Sequence, residues 1–115
     1  MGKFRIAVAT EGNDGLEDFV SDVFGRANTF TIVNVDDEKL KGVKILQNPA
    51  VSYKHGAGPI VVKMLIDAGV NLVLATELGP GASTLLEQHN VTTIAAKSGT
   101  SVKESIRKAL SEIGK

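Results

Sequence analysis

The spacing of apolar residues changes at Pro59, and that change constrains the fold of this 115-residue chain more than any other feature. Before Pro59 the apolar residues come in short β-branched runs. Residues 4–10, "FRIAVAT", run into the Gly- and Asn-rich "EGNDG" and read as a buried strand followed by a long turn. Residues 29–35, "TFTIVNV", and 40–47, "LKGVKILQ", flank "DDEK", which is hairpin chemistry. After Pro59 the period lengthens. Ile60, Val61, Met64, Leu65 and Ala68 share one helical face, Pro59 suits the first turn, and Gly69 is a C-terminal stop. A strand at 71–76, "NLVLAT", a helix within "GPGASTLLEQHN" that stops at Asn90, and a strand at 91–96, "VTTIAA", come next. Ser101 and Glu104 then match a capping box ahead of a helix lined by Val102, Ile106, Ala109 or Leu110, and Ile113.

The resulting order is strand, strand, strand, helix, strand, helix, strand, helix. A meander followed by right-handed crossovers predicts one α/β domain spanning residues 1–115, with a five-stranded mixed sheet flanked by helices in three layers. In the simplest arrangement the first, third, fourth and fifth strands run parallel. The loops leaving them, at 11–25, 48–58, 77–81 and 97–100, then emerge together at the carboxyl edge, where open α/β sheets bind ligands.

Several classes of function are disfavoured at once. The formal net charge is zero, which gives no electrostatic case for nucleic acid. There is no cysteine, so a disulfide framework and a thiolate metal site are both excluded. The N-terminal apolar run is too short for a signal peptide or a membrane span, and Ile6 stands where a myristoylation signal prefers Ser or Thr, so a cytoplasmic location is expected. No phosphate-loop Lys follows the glycine pairs, "HGAGP" lacks the spacing of a dinucleotide turn, and no G-x-S-x-G is present.

What remains is concentrated in the exits: "EGNDG", "KHGAGP", "ELGPGAS" and "KSGTS". Three of them lead into helix N-termini, whose unpaired amides favour an anion, and glycine lets a ligand approach the backbone closely. His55, followed by Gly56 and Gly58, would set a donor or a metal ligand beside such amides. Gly79 and Gly81 likewise leave amides bare before the next helix, although turn chemistry alone explains the Gly79-Pro80 pair. His89 reads as a helix-end residue and not as a ligand. Glu11, Asp14, Asp18, Asp22 and Glu77 could supply a hard-metal site, or serve as solvated caps and turns.

The stretch at 6–35, the segment "NPAVSYKHGAGP", the stretch at 65–94 and the closing "SGTSVKESI" together resemble the dinitrogenase iron–molybdenum cofactor biosynthesis family over nearly the whole chain. The most specific parts are Phe-Gly-Arg-Ala at 24–27, His-Gly-x-Gly-Pro at 55–59 and Leu-Gly-Pro at 78–80. The resemblance implies a ribonuclease H-like fold and non-enzymatic work: binding or carrying an iron–sulfur or iron–molybdenum cofactor or its precursor, with a cofactor-biosynthesis protein as a partner. The zero net charge and the short N-terminal apolar run separately argue against nucleic acid and membrane as partners. Family members commonly place His directly before Phe-Gly, where this chain has Val23. If a cluster binds, either His55 takes over as ligand or carboxylates and backbone amides hold it without a strong protein ligand, and Arg26 carries a fixed charge that suits an anion or a surface salt bridge. Two further readings stay open: a binding module for a small anion such as a phosphorylated metabolite, and a protein-interaction domain. A two-metal nuclease on the same fold is discounted, because the first strand carries no carboxylate.

Overall fold

The computed structural model describes residues 2–113. Met1, the first residue of the rejected myristoylation pattern, lies outside them, as do Gly114 and Lys115. The elements are β1 (Lys3–Thr10), a 3₁₀ turn (Gly15–Glu17), β2 (Thr29–Asp36), β3 (Lys39–Gln47), α1 (Ala57–Asp67), β4 (Leu72–Ala75), α2 (Pro80–Gln88), β5 (Thr92–Ala95) and α3 (Val102–Ile113). The five strands form one mixed sheet in the order β3-β2-β1-β4-β5. β2 is antiparallel to both its neighbours, whereas β1, β4 and β5 pair in parallel. The expected α/β architecture and strand directions therefore hold.

Period-two alternation divides the core. Ala7, Ala9, Phe30, Ile32, Val73 and Ala75 face α1 and α2, where Val61, Val62, Leu65 and Leu86 close on them. Ile6, Val8, Val33, Val35, Leu72 and Leu74 face the opposite way, onto Val102, Ile106 and Ala109 of α3. Each fully buried Leu or Ile on these faces contributes about 1.5–3 kcal/mol relative to exposure. The face of α1 is turned from the one the spacing suggested. Val62 is buried while Ile60 is exposed, because the helix packs on the line of Ala57, Val61 and Leu65.

Two local devices shape the β2–β3 hairpin. Asp37 and Glu38 both adopt positive φ, 55° and 68°, so the chain reverses in a two-residue loop between the paired Asp36 and Lys39. Further along, Asn34 pairs with Gly42 and Val35 with Leu40, leaving Lys41 as an extra residue in a β-bulge. At α3, Ser101 Oγ accepts the amide of Glu104 at 3.2 Å, which is half of the expected capping box. The Glu104 carboxylate turns instead to Arg107.

The segment after β1 is not a free turn. Asp18, 4% exposed, accepts the amides of Gly12 at 2.8 Å and Phe19 at 2.7 Å, with that of Asp14 at 3.4 Å, and so folds the loop back on itself. Val20 N–H donates to Thr100 O and Val102 N–H to Asp18 O, both at 2.8 Å, so this segment lies across the start of α3. No described helix is long and apolar enough to cross a membrane.

Candidate functional site: a cleft at the carboxyl edge

Three of the exits meet around one cleft of about 420 Å³, bounded by residues 23–26, 57–59 and 77–82. The fourth exit, 97–100, is bonded to Val20 and stays outside it.

The first wall is the Phe24–Ala27 turn. Phe24 is buried and meets Phe30 edge-on, with ring centroids 5.5 Å apart at 75°, and Ala27 is buried too, its amide donating to Phe24 O at 3.2 Å. With both ends anchored in the core, Arg26 is left exposed at the turn's tip. Asn48 holds this turn from below. Its side-chain amide donates to Gly25 O at 3.0 Å and Ala27 O at 2.7 Å, and its Oδ1 accepts the amide of Ala50 at 2.8 Å. Gly25 is required by proximity. A Cβ there would stand 3.1 Å from the amide nitrogen of Gly58 and 3.3 Å from the Ala57 Cβ. A Cβ on Gly58 would in turn lie 3.7 Å from that of Ala82, so the turn and the first turns of α1 and α2 touch in sequence.

The other walls are helix starts. Gly56 caps α1 with φ 76°, a left-handed conformation natural to glycine, and Gly79 precedes α2 in an extended one. Neither helix has a side-chain cap. In each first turn proline lacks an N–H, so the amides without an intrahelical partner are those of Ala57 and Gly58 in α1, and of Gly81 and Ala82 in α2. All four residues line the cleft. Two positive dipole ends and the Arg26 guanidinium favour negative charge there, opposed by the single carboxylate of Glu77.

Of the residues expected at the site, the fold brings Arg26, Gly58, Gly79 and Gly81 into the lining. His55 and Gly56 stand outside it, exposed on the approach to α1. Val23 is part of the wall, 38% exposed, where it offers an apolar contact and no ligand. His89 is exposed at the far end of α2. Among the described residues no group of three or more His, Cys, Asp or Glu comes together as a metal cage, so the acidic residues of the loops do not form one. Asn48, Asp18 and Glu77 gain their roles from the fold. Asn48 bonds residues 21 and 23 positions away, which no local pattern announces.

These features define a small three-layer α/β protein whose carboxyl edge presents a glycine-walled cleft flanked by two uncapped helix starts. The chain belongs to the dinitrogenase iron–molybdenum cofactor family, whose pattern matches residues 4–112. It is similar to the orange protein of Desulfovibrio gigas, solved in its apo form, with 29% identity, 94% of this chain and 88% of that one covered, and a TM-score of 0.84. It is similar also to a putative NifB protein from Thermotoga, with 35% identity, 95% and 88% covered, and a TM-score of 0.74. An uncharacterised protein of Methanocaldococcus jannaschii is 30% identical over 84 residues, 73% of this chain and 70% of that protein.

Proposed function

We propose that this protein is a non-enzymatic cytoplasmic carrier that binds an anionic iron–sulfur or iron–molybdenum cofactor, or a precursor of one, in the carboxyl-edge cleft and passes it to a cofactor-biosynthesis protein. The observation that carries this reading is the convergence of four unpaired helix-start amides and Arg26 on one cleft in a member of this family. A large, multiply charged cargo suits amides spread over two helices and a turn, since each contributes partial positive charge without a strong covalent ligand. In this reading Gly58, Gly79 and Gly81 keep the walls bare, Gly56 turns the chain into α1 beside them, Arg26 neutralises charge, and His55 is the histidine available to ligate metal from the approach. The fold is read as ribonuclease H-like and the whole of 1–115 as one domain; the order β3-β2-β1-β4-β5 with β2 alone reversed supports that classification.

A second reading is a small-anion module that takes a phosphorylated metabolite on the same amides. It is favoured by Val23 in the wall and by the lack of cysteine. Anaerobic titration with isolated iron–molybdenum cofactor, followed by visible absorption, tests the first reading. Saturable binding weakened by combined Arg26→Ala and His55→Ala substitution is expected. No binding, or binding indifferent to both changes, refutes it, and phosphate-induced amide shifts at Gly58 and Gly81 would then support the second.

A further inference from the structure

The opposite edge of the sheet holds a second cavity, of about 300 Å³, at the starting end of β1 and about 20 Å along the strand from the first. Lys3, Arg5 and Lys41 line it, against the single carboxylate of Asp36. This is a local excess of positive charge in a chain whose formal net charge is zero. Asp36 makes no ion pair with any of the three among the described residues.

Arg5 is the most telling member. Its main chain is clipped on both sides to Asn71: Arg5 N–H donates to Asn71 Oδ1 at 2.9 Å, and Asn71 N–H to Arg5 O at 3.0 Å. That fixes the strand, yet the side-chain Nε is sealed from solvent and has no hydrogen-bond partner. A ligand in the cavity cannot reach that sealed nitrogen, and the donors Arg5 offers there are the two terminal nitrogens of its guanidinium, which make no hydrogen bond among the described residues.

The β-bulge supplies the second observation. The extra residue in β3 is Lys41, and a bulge re-aims the side chain it carries, so Lys41 joins the cavity with Lys3 and Arg5 from the neighbouring strand but one. The next residue is Gly42, where a side chain would meet Asn34 Nδ2 at 3.6 Å; its absence leaves room beside that amide. Asn34 and Asn71 thus add neutral amide groups to the cationic wall.

We infer that this amino-edge cavity is a second anion site, in which Arg5, Lys3 and Lys41 bind a compact tetrahedral oxyanion of the phosphate type, free or as a phosphate monoester. The guanidinium supplies directed donors from its terminal nitrogens, and the two ammonium groups supply charge. The site is independent of the cargo cleft in residues and in position.

The test is an amide-shift titration of the isotopically labelled full chain with inorganic phosphate and, separately, glycerol 3-phosphate at constant ionic strength. Saturable shifts at Arg5, Asn34, Gly42 and Asn71 are expected, with the apparent Kd rising roughly tenfold in Arg5→Gln and about threefold in Lys41→Gln. A stronger response to phosphate identifies the free ion as the ligand, and an equal or stronger response to the ester identifies a phosphorylated metabolite. Because Arg5 is partly buried and its loss could impair folding, the exposed Lys41 provides the second variant. No saturable shift at these amides, or shifts unchanged by both substitutions, overturns the inference. Shifts confined to Gly58, Gly81 and Ala82 also overturn it and place phosphate in the carboxyl-edge cleft.

Discussion

Replacing Asn48 by Ala should loosen the wall that carries Arg26 and destabilise the whole domain. Asn48 is 5% exposed and makes three side-chain hydrogen bonds, to Gly25 O, Ala27 O and the Ala50 amide. The substitution strips all three at once and leaves their backbone partners short of a bond in a water-poor place. At about 1 kcal/mol for each bond the loss is about 3 kcal/mol, which for a domain of this size corresponds to a fall in Tm of roughly 10 °C. Urea unfolding followed by far-ultraviolet circular dichroism reads the stability, and hydrogen exchange reads the turn. Exchange at Arg26 and Ala27 should accelerate more than exchange in β1. Asn48→Asp gives an internal control: it can still accept the Ala50 amide but cannot donate to the two carbonyls, so it should lose most of the same stability. An Asn48→Ala protein within 1 kcal/mol of wild type, or one whose exchange rises uniformly, would refute the claim that this side chain holds the turn.

Other consequences of the geometry are equally open to measurement. Glu38→Gly should stabilise the protein by about 0.5–1 kcal/mol in urea unfolding, because Glu38 has φ 68° in a two-residue hairpin loop that glycine adopts without strain. Gly25→Ala should cost about 1–2 kcal/mol and shift the amide resonances of Ala57 and Gly58, since the new Cβ would lie 3.1 Å from the Gly58 nitrogen; an unperturbed Gly58 resonance would contradict the contact. Asp18→Asn should cost about 2 kcal/mol, because Oδ2 accepts the Gly12 amide and Oδ1 that of Phe19, so a carboxamide with one oxygen leaves one of these amides facing an NH2 donor, as a shifted urea midpoint would record. Glu77→Gln should tighten the binding of any anion in the cleft by roughly threefold in a calorimetric titration, since the sole opposing carboxylate is removed.

The parts of this architecture that depend on local chemistry were legible in the sequence. Period-two runs, the helical spacing after Pro59, and the Gly or Asn stops are set within a few residues, and they suffice to order the strands and to gather the exits at one edge. The glycines before α1 and α2 were legible for the same reason. What depends on distant contacts was not. Asn48 and Asp18 look like polar turn residues, and only the folded chain reveals that each bonds several backbone groups. The segment after β1 reads as one long turn, but bridges from Thr10 to Val20 and from Phe19 to Ser101 tie it to the end of β1 and to the start of α3. Exposure at Ile60 follows from which side of α1 meets the sheet, a choice that the overlapping apolar positions of Ala57, Ile60, Val61 and Val62 leave undecided. His55 and Gly58 sit within one short motif, yet Gly56 in a left-handed conformation turns the chain between them, so that one lines the cleft and the other does not.

The most direct test of the carrier account is to locate the cargo on the protein. Isolated iron–molybdenum cofactor, added anaerobically to the isotopically labelled chain, should broaden amide resonances through its unpaired electrons, with an effect that falls steeply with distance. The account predicts selective broadening centred on Arg26, Ala57, Gly58, Gly81 and Ala82, with the amino end of β1 untouched. Broadening centred elsewhere, or none at stoichiometric cofactor, would contradict it.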